Sequence, residues 1–97
     1  MLTHIVIWKY RADADEARRR EHVERLRSLS GIVPGIESFA VGSDVLRLPR
    51  SYHTGLVATF RDRAALEAYD AHPEHQAVVQ IGRSLSEHVA SVDFEDE

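Results

Sequence analysis

Residues 2–10 read Leu-Thr-His-Ile-Val-Ile-Trp-Lys-Tyr. The stretch is rich in β-branched and aromatic residues and lacks glycine and proline, which favours a strand. Alternation puts His4, Val6, Trp8 and Tyr10 on one face, and Thr3, Ile5, Ile7 and Lys9 on the other. Both faces carry large apolar groups. Such a strand is covered on both sides in a folded protein. The rest of a 97-residue chain, long enough for one domain and one modest core, has to meet that requirement.

The elements that follow are legible from period and punctuation. Residues 13–30 predict a helix. Asp13, Asp15 and Glu16 suit its positive end, and His22, Leu26, Leu29 and Val33 form one stripe with Val23 beside it. Arg18, Arg19, Arg20, Glu24 and Arg25 read as a solvated face, because acids interleave with the arginines. The Gly31-Ile32-Val33-Pro34-Gly35 turn closes the helix. A second strand covers 36–42, with Phe39 and Val41 on one face and Ile36 and Ala40 on the other. A connection over 43–52, broken by Pro49, leads to a third strand at 53–61, where Leu56, Ala58 and Phe60 alternate with Val57 and Thr59.

Asp62 is placed to cap a helix over 63–71. Pro73 pushes His72 out of helical geometry and itself suits the first position of a new helix, predicted over 73–84. Val78, Ile81 and Leu85 form its inward stripe, and Gly82 permits a close approach. Residues 87–94 predict a last strand, with Ala90, Val92 and Phe94 opposite Val89, and Glu95-Asp96-Glu97 a frayed acidic end.

The order β-α-β-β-α-β, with its second helical region broken at Pro73, is the α+β, ferredoxin-like pattern. Its helices cover one face of a four-stranded sheet. The apolar second face therefore predicts a homodimer, packed through the face opposite the helices into a dimeric α+β barrel.

Composition narrows the function. A net charge of −4 and a pI near 5.8 argue against nucleic acid and against an anionic membrane surface. No apolar run is long enough to span a bilayer, and the start lacks a secretory pattern, so the expected compartment is the cytoplasm. The absence of cysteine excludes disulfides and thiolate chemistry. His72-x-x-His75 has ligand-like spacing, but the proline bend separates the two and no acid pair completes a shell, so no metal is expected.

Leu2-Thr3-His4-Ile5-Val6 with Lys9, the Val33-Pro34-Gly35-Ile36 turn, Gly42, Phe60-Arg61-Asp62 and Tyr69-x-x-His72-Pro73-x-His75 together resemble the stress-responsive dimeric A/B barrel domain over nearly the whole chain, residues 1–97. The resemblance implies a ferredoxin-like protomer, a dimeric barrel and, in many members, no assigned activity. Some relatives are polyketide cyclases, such as olivetolic acid cyclase. In that enzyme the tyrosine and the last histidine of the matching stretch serve catalysis, which carries over to Tyr69 and His75. His4 would lie beside the pocket. Val6, Trp8, His22, Leu26, Leu56 and Val78 would complete the substrate-binding wall. His22 and Ser86 stand where the cyclase has bulkier aromatics, so a substrate does not carry over.

The residues allow a mechanism without metal or cofactor. In the first turn of a helix His75 feels the positive end of the dipole, which favours the neutral imidazole a general base needs. Tyr69 can donate a hydrogen bond to a substrate carbonyl and steady an enolate. Structural readings stand beside these roles: His72 as a cap, His75 as a helix-start residue, Tyr69 as a core aromatic, His4 as a satisfied core histidine, and His22 as the flank of a stripe. His53 and His88 read as surface or interface residues. Three functions remain open. They are a cofactor-free cyclase or lyase acting on a polyketide-like β-dicarbonyl, a non-catalytic dimeric domain that binds a small apolar ligand or is purely structural, and a cofactor-independent monooxygenase.

Overall fold

The computed structural model describes residues 1–96. The chain runs β1 (Leu2–Tyr10), α1 (Glu16–Arg27), β2 (Ile36–Ser43), β3 (Thr54–Phe60), α2 (Arg63–Ala71), α3 (Pro73–Leu85) and β4 (Ser86–Glu95). The four strands form one antiparallel sheet in the order β2-β3-β1-β4. This is the ferredoxin-like α+β arrangement, with the helices over one face. Among the described residues, no helix is long and apolar enough to cross a membrane. Glu95 pairs with Leu2 and so belongs to β4 rather than to a frayed end, and Glu97 lies outside the described residues.

Local chemistry sets the boundaries. Asp15 caps α1 by accepting from the Arg18 N–H at 2.8 Å, so the helix starts at Glu16 rather than at residue 13. It ends at Arg27, and Leu29 packs inward from the turn that follows. Asp62 caps α2 through the Ala65 N–H, also at 2.8 Å. Between α2 and α3, His72 ends one helix and caps the next, its Nδ1 accepting from the Glu74 N–H at 3.1 Å.

The inner sheet face and the helices enclose the core. Trp8, Tyr10, Leu56, Ala58 and Phe60 from the sheet pack against Leu26, Leu29, Tyr69, Val78 and Leu85. One face assignment differs from the sequence reading. The register of β2 against β3 shifts between Ile36 and Ser38, which places Ile36 opposite Phe60, and Ile36 packs against the core. Simple alternation puts it on the face opposite Phe39 and Val41; the irregularity at Glu37 reverses this.

The outer face is apolar and open. Ala40, Val57, Ile5 and Val92 stand side by side across all four strands. Val57, Val92 and Phe94 are each 44–53% exposed.

Candidate functional site

The break at Pro73 determines how His75 is held. In an unbroken helix the Tyr69 carbonyl would accept from residue 73 and the Asp70 carbonyl from residue 74. Proline has no N–H to give, and Tyr69 accepts from the His72 N–H instead, at 3.1 Å. The Glu74 N–H turns to the His72 ring. The Asp70 carbonyl is thereby released, and His75 Nδ1–H donates to it at 2.9 Å, with Gln76 Nε2–H donating at 2.6 Å. Anchoring Nδ1 leaves Nε2 of His75 as the free acceptor.

His75 lies against Tyr69, their ring centroids 4.5 Å apart. Tyr69 is fully buried and also touches the rings of Phe39, Phe60 and His4. Burial pushes its phenol above the ordinary tyrosine value, and the neighbouring Asp70 charge adds to that. The hydroxyl therefore stays protonated and can donate. The His75 imidazole is pushed below its ordinary value. Burial is the first cause, rather than the helix dipole expected from the sequence. The Asp70 carbonyl and carboxylate oppose the shift, and His4 and His72 reinforce it.

Both rings border a cavity of about 270 Å³ under the helices. Val6, Trp8 and Leu56 form its sheet side, and Leu26 and Val78 its helix side. His4 completes the set. Of the wall expected from the sequence, only His22 is absent. It is fully buried behind Trp8, edge-on to that ring at 5.1 Å, and its Nδ1 is paired with the Tyr10 hydroxyl at 2.7 Å. That hydroxyl also meets Thr54 Oγ1 at 2.8 Å. His22 is thus a core residue rather than a wall residue; only the packing of Trp8 across it reveals this.

The structure adds members that sequence spacing could not supply. Asp70, Val79 and Arg83 from the helical layer and Val89 and Ser91 from β4 also line the cavity. Asp93 faces His4 across the β1–β4 pair, and its Oδ1 hydrogen-bonds His4 Nδ1. The contact fixes the His4 tautomer with its proton on Nδ1. The partners are 89 positions apart in the chain, and only the strand register joins them.

His72 is engaged as a cap through Nδ1, and His75 donates Nδ1–H to a backbone carbonyl. His53 is less superficial than expected. Its Nδ1 accepts the Tyr10 backbone N–H at 2.9 Å and its ring stacks on Tyr10. His88 is exposed and pairs with the Tyr52 hydroxyl.

The model of the stress responsive A/B barrel domain matches residues 2–96. The chain belongs to this family. An uncharacterised protein of Streptomyces coelicolor is 29% identical over 88 residues, covering 89% of this chain and 91% of its own. Among solved structures, a dimeric ferredoxin-like protein of unknown function from Thermobifida fusca aligns with a TM-score of 0.88 at 22% identity, over 96% of this chain and 88% of that one. Another dimeric ferredoxin-like protein of unknown function, from Jannaschia sp. CCS1, has a TM-score of 0.83 at 29% identity, over 98% of both chains. The hydroxynitrile lyase of Passiflora edulis also scores 0.83, at 14% identity over 96% of this chain and 90% of that one, which is a likeness of fold.

Proposed function

We propose that this A/B barrel protein is a homodimeric, cofactor-free enzyme that removes a proton α to a carbonyl of a small, mostly apolar substrate. The observation that carries the reading is the Tyr69–His75 pair at the wall of the 270 Å³ cavity, with the imidazole held neutral and the phenol held protonated. The volume is below the roughly 300–1,000 Å³ of drug-sized sites, which favours a small compound. His75 Nε2 takes the α-proton. The Tyr69 hydroxyl donates a hydrogen bond to the enolate oxygen. The enolate carbon forms a bond to a second carbonyl of the same molecule, and the proton on His75 returns to the new alkoxide. This is an aldol closure of a polyketide-like β-dicarbonyl, and its reverse is a carbon–carbon lyase reaction. The lyase activity in the name of the Passiflora relative is compatible with the same acid–base demand. His4, oriented by Asp93, supplies a second imidazole beside Tyr69.

The dimer in this reading forms through the open sheet face. The apolar row from Ala40 to Val92 calls for a cover, and the Thermobifida and Jannaschia proteins are described as dimeric. Wild type, His75→Ala and Tyr69→Phe are compared on β-polyketone substrates by chromatography of the cyclised product. Loss of turnover in both variants is expected. Equal turnover in all three contradicts the mechanism and favours the non-catalytic, ligand-binding alternative.

A further inference from the structure

A larger depression, about 610 Å³, lies on the other side of the Tyr10–His22–Thr54 contacts, between α1 and the connection that links β2 to β3. Arg19, Arg20, Arg27 and Arg47 line it together with two acids, Glu16 and Asp44. In the sequence Arg19 and Arg20 look like part of a solvated helix face. Folding adds Arg27 from the last turn of α1 and Arg47 from the connection, and the excess of positive charge is local to this groove in a chain of net charge −4.

Two of the four guanidiniums, those of Arg19 and Arg27, are held in place. Arg19 donates through Nε to the Ala14 carbonyl at 2.7 Å and through Nη2 to the Arg11 carbonyl at 3.1 Å, and it lies over the Tyr10 ring. Arg27 Nη2 donates to the Val41 carbonyl at 3.0 Å. Neutral carbonyls fix these two groups without cancelling their charge. The arginine–carboxylate ion pairs among the described residues involve Arg11, Arg61 and Arg63, and none involves a groove arginine. The Asp44 carboxylate is already engaged by the Arg47 backbone N–H at 2.7 Å. His53 also borders the groove. Because its Nδ1 accepts from Tyr10, its proton is on Nε2, which is a further donor. Arginine forks without carboxylate partners, two of them fixed, that keep free N–H donors are the chemistry that recognises phosphate oxygens.

We propose that this groove binds a small soluble anion of the phosphate class, independently of the cavity at Tyr69 and His75. The groove is large enough to hold such a group with an organic remainder attached. The test is calorimetric titration of the full-length chain with sodium pyrophosphate at low ionic strength, with backbone NMR spectra to locate the perturbed residues. Saturable binding is expected, with shifts at residues 19–27 and 44–54. Arg27→Gln and Arg47→Gln each weaken it at least tenfold. Arg25→Gln, on the same helix but outside the groove, leaves it unchanged. Unaltered dispersion of the spectra confirms that each variant is folded. Absence of saturable binding overturns the proposal, as does an equal loss in Arg25→Gln. Tighter binding to phosphatidylglycerol vesicles or to a single-stranded oligonucleotide than to pyrophosphate also overturns it, in favour of a surface for lipid or nucleic acid.

Discussion

The imidazole of His75 rests against the phenol of Tyr69 at 4.5 Å between centroids, and the carbonyl that anchors it belongs to Asp70, the residue next to that tyrosine. The pair is therefore built by one backbone event, the interruption at Pro73. A helix break is used here to hold a ring, and the acid–base reading depends on that hold.

The first prediction concerns pH. Burial lowers the His75 pKa, so its base form persists below the ordinary imidazole range. The acid limb of activity should therefore have its midpoint below the ordinary imidazole value of 6.5. The acid limb of a kcat/KM profile measures this directly. A midpoint above 6.5 would mean that the ring is stabilised as a cation and is not the base described.

Acid stability should be governed in part by His22. Its folded-state pKa is about 4 against an ordinary 6.5. The unfolded chain therefore binds the extra proton first as pH falls. Stability tied to this residue is complete above pH 6.5, is lost progressively toward pH 4, and changes no further below it. The loss is on the order of 3 kcal/mol. Urea titrations at pH 7 and pH 4.5 measure it. His22→Leu should be weaker at pH 7, because the Tyr10 hydroxyl loses a partner, but it should show a shallower pH slope.

Gly82 faces two buried rings. A Cβ there would sit 2.9 Å from Trp8 Nε1 and 3.0 Å from His22 Nε2. Alanine gains up to about 1 kcal/mol of helix propensity, while overpacking a filled core costs about 1–3 kcal/mol, so overpacking wins. Gly82→Ala should lower the urea midpoint. A raised midpoint would show that the rings yield freely.

The open sheet face makes an assembly prediction. Val57→Asp and Val92→Asp place a carboxylate in the middle of the apolar row and should halve the mass seen by sedimentation equilibrium at micromolar concentration. Wild type running as a monomer would show that a second copy does not cover this face.

Much of this was legible in the chain. The two apolar faces of β1, the Asp62 cap and the junction at Pro73 follow from local rules, and each involves neighbours in sequence. What was not legible depends on register or on packing. Ile36 faces the core because β2 is irregular at Glu37, which no alternation rule anticipates. Asp93 meets His4 only once β4 pairs with β1. His22 has the spacing of a wall residue, yet Trp8 screens it from the cavity. The basic groove is not legible in the sequence because its arginines come from two segments, one of which has no regular pattern.

The central claim is that the cavity performs proton abstraction. Exchange of α-protons in deuterated buffer, followed by NMR across a panel of small apolar ketones and β-dicarbonyl compounds, tests it without knowledge of the natural substrate. Wild type should accelerate exchange of at least one member well above the buffer rate. His75→Ala should reduce that acceleration on the order of 100-fold or more, and Tyr69→Phe should reduce it while the fold is retained. No acceleration across the panel, or acceleration untouched by His75→Ala, would contradict the account.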